Sequence, residues 1–265
     1  MKKIKIFILL FLSIIGLVGC GKQDINKLVF ISAMGFDKDE DGFKLVAQVV
    51  NKVILDPDPP QVAPVFVVTA KGETVFDCFK NLSNLLPNRP YLINLQLLLF
   101  DEELAKEGIK EYVHFFVNFA EAQHEYNIMV TKGITVEKFL GQLSVFSHFP
   151  TRVLIEKLET AIDYHGFGKK TYIEMLYSAV MDEKETLILS SVEVLGDLEE
   201  GETIDHNKKT KIASEIKIAD LAVFDEDRLV GWLNKEEAVV YNLVMNKIKR
   251  TVFVVNGENN NKISN

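Results

Sequence analysis

Between Pro90 and Asp101 stands YLINLQLLLF, broken only by Asn94 and Gln96. A run this apolar and this short, with a proline before it and an acidic helix start behind it, reads as one buried strand. The rest of the chain must then supply the sheet that buries it. Leu28 to Met34 and Phe43 to Val50 flank the acidic turn Asp37-Lys38-Asp39-Glu40-Asp41-Gly42 and read as a β-hairpin. Asp56 to Pro64 carries four of the seven prolines and is irregular, and Val65 to Thr69 resumes as a strand. Tyr126 to Thr131, Thr186 to Leu195 and Thr251 to Val255 are further strands.

Helical spacing alternates with these runs. Thr74 caps a helix with Val75, Phe79, Leu82 and Leu86 on one stripe, Cys78 and Leu85 beside it, and Pro87 as the stop. Asp101-Glu102-Glu103 opens another, carried on by Ile109, Tyr112, Val113, Phe116 and Ala120. Thr135 to Leu143, Pro150 to Ala161 and Tyr172 to Val180 are helical, with HGFG as the break between the last two. Residues 196–211 are acidic and aperiodic, as in a loop. Ile216 to Phe224 and Leu229 to Leu233 flank Asp225-Glu226-Asp227-Arg228 as a second hairpin. Asn234 then caps a last helix with Glu237 at the capping-box position. Strands and helices so interspersed, with hairpins as well as crossovers, predict a mixed α/β (α+β) fold. Its sheets are partly antiparallel with flanking helices, not a doubly wound parallel sheet.

The first five residues hold three lysines, and Ile6 to Val18 is apolar except for Ser13 and Gly16. That stretch is short for a membrane span of about 20 residues and suits the apolar region of a secretory signal. In place of a small-residue cleavage site it ends Leu17-Val18-Gly19-Cys20, which matches a bacterial lipobox. Cys20 is therefore expected to carry a diacylglyceryl group and to become the first residue of the mature protein, 1–19 being the lipoprotein signal peptide. Two acyl chains hold a protein on a bilayer where one is marginal. The chain is then placed on the outer face of the cytoplasmic membrane. Net charge is −8 over 265 residues, and without the three leading lysines the remainder is near −11. A body so acidic has no electrostatic footprint for nucleic acid, and no basic patch to hold it on lipid.

Few residues are spaced for reaction chemistry. Two cysteines, Cys20 and Cys78, cannot build a four-ligand zinc site alone, and Cys78 sits beside an apolar helix stripe as a small buried residue. His114, His124, His148, His165 and His206 show no metal spacing and read as surface or helix-flank residues. Gly166-Phe167-Gly168-Lys169-Lys170-Thr171 glances at a phosphate loop, but a P-loop needs glycine where Asp163 stands. Asp37, Asp39, Asp41 and Gly42 match the first half of a calcium loop, yet Gln48 takes the place of its closing glutamate. Paired acids such as Glu199-Glu200 and Asp225-Glu226-Asp227 could serve a glycosidase, but lie in turn-like stretches where solvated charge is ordinary. No catalytic residue, metal or cofactor other than the lipid on Cys20 is assigned.

Four stretches carry a resemblance. They are Asp24 to Ile31 with Gly35-Phe36-Asp37; Gly72 to Asp77 leading to Asn81-Leu82-Ser83; Leu95 to Ala105 with Gly108-Ile109; and Leu221-Ala222-Val223-Phe224 followed by Leu229-Val230-Gly231-Trp232-Leu233 and Glu236-Glu237. In this order they resemble the Ger(x)C family, the lipoprotein C subunits of spore germinant receptors. The resemblance implies an accessory, non-catalytic subunit on the spore inner membrane, working with membrane-embedded A and B subunits in nutrient-triggered germination. It also implies a mixed α/β fold in three domains, of which the third is expected to be missing here. The division expected is a family-like N-terminal region over 20–195, a middle hairpin-and-helix region over 196–255 and a polar, frayed tail over 256–265. Trp232 with Phe224 admits two readings, core packing or a docking surface for a partner subunit. Phe115, Phe116 and Phe119 admit the same two. A transporter's substrate-binding lipoprotein is the alternative function.

Overall fold

The computed structural model describes residues 27–119, 125–181, 186–248, 250–251, 254–256 and 262–264. The leader, Cys20, Ala120 and His124 lie outside the described residues. Strand β1 (Leu28–Lys38) pairs antiparallel with β2 (Phe43–Val50), with Met34 opposite Ala47 and Phe36 opposite Leu45. This is the hairpin expected from the sequence, and β3 (Val65–Gly72) adds antiparallel to β2. On its other edge β1 pairs parallel with β4 (Arg89–Tyr91) and β5 (Leu97–Phe100). The sheet continues in parallel through β6 (Asn127–Thr131) to β7 (Ile188–Gly196). It then turns antiparallel with β8 (Ser214–Asp225) and β9 (Arg228–Leu233). The order is β3-β2-β1-β5-β6-β7-β8-β9, with β4 beside the start of β1. The fold is thus α+β, as expected. Its sheet has a parallel centre and two antiparallel wings, and it runs without a break past residue 196.

Parallel strands need crossovers, and crossovers cover both faces of a sheet. Alternation along β5 divides the core accordingly. Leu98 and Phe100 join one buried cluster, Leu97 and Leu99 the other. Helices α1 (Val75–Leu85), α2 (Glu102–Glu107), α3 (Lys110–Asn118) and α6 (Ile173–Met181) cover the first face. Helices α4 (Val136–Gly141) and α5 (Pro150–Thr160) cover the second. The four-residue helix α7 spans Leu198–Gly201. Helix α8 (Lys235–Val244) packs Ala238 against Ile188 and Leu221. Thr74 caps α1 by accepting from the Asp77 amide at 3.1 Å, and Asn234 and Glu237 form the expected capping box on α8.

Four expectations change. The run Tyr91 to Phe100 is not one strand. Leu92 to Leu95 turns on itself (Leu95 N to Leu92 O, 3.0 Å) before β5 begins, yet Leu92 and Leu95 stay buried. A buried turn and a buried strand are equally apolar, so composition could not separate them. The helix opened at Asp101 is two helices, because Gly108 takes φ +129° and ends the first. The stretch 196–211 holds α7 and a 3-10 turn over Ile204–Lys208, and it buries His206 completely. Near the C-terminus, β10 (Val254–Asn256) pairs with β11 (Lys262–Ser264), so the tail carries a hairpin.

One polar group joins the second face together. Gln48, 2 % exposed in β2, accepts at Oε1 from Ser32 Oγ (2.8 Å) and Thr151 Oγ1 (2.6 Å) and donates from Nε2 to the Leu140 carbonyl (2.7 Å). Strands β1 and β2 are thereby tied to α4 and α5. Gln48→Met keeps the volume and abandons three partners, so it should lower the free energy of unfolding by about 2–4 kcal/mol. Urea denaturation reads this directly, and a loss under about 0.5 kcal/mol would show that the network contributes nothing beyond packing.

Candidate docking hairpin

The hairpin β8–β9 reverses at Glu226 (φ +53°) and Asp227, closed by the pair Asp225 and Arg228. Its tip is latched to the helical layer on the first face of the sheet, with whose side chains Phe224 and Leu229 share a core. The Asp227 carbonyl accepts from the Ile109 amide at 3.0 Å, and its Oδ2 accepts from the Lys110 amide at 3.0 Å. Asp227 thus caps α3 from a distance of 117 residues. Ile109, the residue in the N-cap position, has no side chain to do so. Gly108 makes the approach possible, since a Cβ there would stand 2.7 Å from Asp227 Oδ2.

The two aromatic residues singled out in the hairpin part company. Phe224 is 2 % exposed and belongs to the main core, so it offers no surface. Trp232, opposite Ala222, is half-buried against the same core. Lys132 Nζ lies 4.9 Å from its ring centroid and 2.5 Å from Asp220 Oδ2. The indole face is therefore braced by a cation that Asp220 holds in place, through attraction between the ammonium and the ring quadrupole. Phe116 is buried, whereas Phe115 and Phe119 stack at 5.2 Å and stay partly accessible beside Phe79.

The carboxyl ends of parallel strands are the usual place for a ligand crevice. Here a cleft of about 650 Å³ lies there, between Asp37, Asp101, Lys44 and Lys138. Its buried acids are committed to structure. Asp37, 2 % exposed, accepts from the Val136 amide (2.6 Å) and the Glu137 amide (3.3 Å) at the start of α4, and Lys44 Nζ lies 3.1 Å away. Asp101 accepts from the amides of Glu103 and Leu104 to cap α2, and burial raises its pKa. Burial alone would lower the Lys44 ammonium, but Glu137 at 2.7 Å and Asp37 outweigh it and hold it above its ordinary value. Asp39, the third position of the apparent calcium loop, pairs with Lys71 at 2.8 Å. Among the described residues no three His, Cys, Asp or Glu side chains are grouped to hold a metal ion.

The remaining sequence signals resolve the same way. The Cys78 thiol is buried, donates to the Phe43 carbonyl at 3.1 Å and is pushed up to about 11 by burial, which makes it inert. Gly166 and Gly168 do not cradle an anion. Their carbonyls accept from Asn242 Nδ2 at 2.8 and 3.2 Å, strapping the loop to α8, and the Lys169 amide donates to Ser190 Oγ. His206 departs from the surface reading because its 3-10 turn folds inward, whereas His148 is exposed.

The Lys44 to Glu137 pair gives a pH signature. The hydrogen bond from Lys44 holds Glu137 below its ordinary carboxylate range. Its folded pKa is thus the lower one, and its contribution is complete above the ordinary value of 4.5 and lost as pH falls through the folded one. Glu137 is half-exposed, so the effect is below about 1 kcal/mol. Glu137→Gln should flatten the acid limb of the urea midpoint below about pH 5 and leave the neutral-to-alkaline shape alone. An unchanged acid limb would show that the pair is fully screened.

Comparison with known proteins fits this arrangement. Residues 21–194 match the family model described as "Spore germination protein N-terminal domain". Residues 219–265 match that described as "Spore germination B3/GerAC like, C-terminal". "Spore germination protein KC" of Bacillus subtilis (strain 168) is 24% identical over 269 residues, 94% of this chain and 64% of the relative. The chain thus spans just under two thirds of that relative's length. No solved structure matches. The two models together cover most of the chain, including the latched hairpin that closes the sheet, and the chain belongs to the GerAC-like family of spore germination proteins.

Proposed function

We propose that this protein is a lipid-anchored, non-catalytic subunit of a spore germinant receptor, held on the outer face of the spore inner membrane beside membrane-embedded A and B subunits. The observation that carries the reading is the ordered match to both spore germination family models downstream of Leu17-Val18-Gly19-Cys20. No helix among the described residues is long and apolar enough to cross a membrane. Attachment is assigned to a diacylglyceryl group on Cys20 because Leu17-Val18-Gly19-Cys20 matches a lipobox. The buried carboxylates at the strand ends accept from helix amides, which supports a binding role over catalysis. A transporter's substrate-binding lipoprotein would place its ligand between two similar lobes. One sheet running from β3 to β9 favours the receptor subunit instead.

Trp232 is the side chain we assign to partner docking. It is large, partly accessible and braced by Lys132, and large aromatic side chains are the usual anchors of an interface. The test uses spores of a strain whose only copy is altered. Deletion should abolish the response to one germinant class, and Cys20→Ala should lose lipid labelling and membrane retention. Trp232→Ala should leave the protein in the membrane but reduce recovery of the A and B subunits at least about tenfold. Normal germination on every nutrient after removal of all close copies would refute the receptor role. Retention of Cys20→Ala in the membrane would refute the anchor.

A further inference from the structure

The chain enters the fold at Leu28, the first residue of β1, and several exposed apolar side chains surround that end. The segment 51–64 closes at its base through the Asn51 amide and the Pro64 carbonyl (2.9 Å), just beyond the last β2–β3 pair, Val50 and Val65. Register sets this base beside the start of β1, where Ile31 faces Val49. Val53 is 42% exposed and Leu55 is 61% exposed on this segment. The turn Leu92 to Leu95 lies at the same end, since the next amide, Gln96, donates to Ser32 O, and it presents Ile93 at 39% exposure. Leu55 and Asn94 share the wall of one hollow of about 420 Å³ with Phe30. Lys52 Nζ stands 5.4 Å from the Phe30 ring centroid.

We propose that this end of the domain, through Val53, Leu55 and Ile93, rests in the headgroup–acyl boundary of the membrane that holds Cys20. The inference depends on the lipid-anchor reading given above. Cys20 and Lys27 are seven residues apart, so the tether spans at most about 25 Å. The β1 strand alone is about 33 Å long at the strand rise, so the leading end is the pole held close to lipid. A tether also turns a weak contact into an intramolecular one with a high effective concentration, so three side chains suffice where a free protein would need more. The segment carries Asp56 and Asp58 as well as Lys52, so the contact is apolar rather than a basic patch and persists in high salt.

The experiment uses the full lipidated chain in phosphatidylcholine vesicles, with and without lipid brominated along the acyl chain. Trp232 is the only tryptophan, so the unsubstituted protein reports its depth directly. In a Trp232→Phe background, Leu55→Trp reports the proposed face and Glu40→Trp, past the far end of β1, reports the opposite pole. Leu55→Trp should lose at least about half its emission to brominated lipid, in low and high salt alike, while Glu40→Trp and Trp232 keep theirs. Amide exchange of the unsubstituted protein supplies a reading without substitution. The Val53 to Val62 amides should exchange several-fold more slowly on vesicles than in soluble Cys20→Ala protein. Full emission from Leu55→Trp on protein that floats with the vesicles overturns the proposal and leaves the anchor standing. Failure of the unsubstituted chain to float overturns both. Slowed exchange seen only when the A and B subunits are present assigns the face to a protein partner and overturns the lipid contact.

Discussion

β1 is paired along both edges and buried on both faces, and the rest of the structure is arranged around that condition. One edge takes β2 in an antiparallel hairpin, and the other takes β4 and β5 in parallel. A parallel neighbour cannot be reached by a turn, so helical crossovers follow on both faces. At the far end of β1, Asp37 receives the first amides of α4 and approaches Lys44 of β2. A buried carboxylate so placed fixes helix, hairpin and sheet in one geometry. Removing a single partner would leave a charge or an amide unpaired in the interior.

The same logic governs the antiparallel wing. The hairpin that carries Trp232 is not a free projection. Its tip supplies the cap that α3 lacks, and Gly108 has no side chain to obstruct it. Because the tip is used inside the molecule, what the hairpin can offer a partner is its flank. There the indole is braced by Lys132, and Lys132 is held by Asp220. The two ends of the molecule are then chemically unlike. The carboxyl ends of the parallel strands are acidic and internally committed, and the end where the chain enters exposes Val53, Leu55 and Ile93 among its charged residues.

Much of this was legible from local patterns. Both hairpins, the Thr74 cap, the Asn234 capping box and the irregular proline segment are read from short-range chemistry, because each is decided within a few residues. Cys20 as a lipid-bearing first residue rests on sequence alone, since it lies outside the described residues. The errors share one cause. Leu92 to Leu95 is apolar because a turn packs into the core, Gly108 breaks a continuous helical stripe, and His206 is buried by a 3-10 turn that shows no periodicity. Each depends on what lies across the fold.

The sequence by itself determined the class of fold and the family, because these follow from periodicity and motif order. Only the tertiary structure decided that four central strands run parallel, that Phe224 is core while Trp232 reaches the surface, and that Asp227 caps a helix 117 residues away. It also decided that the Gly-Phe-Gly-Lys-Lys-Thr loop is a strap held by Asn242 and not an anion cradle. The physical reason is range. A backbone amide or a carboxylate needs a partner, but nothing in the local sequence states which distant element will provide it.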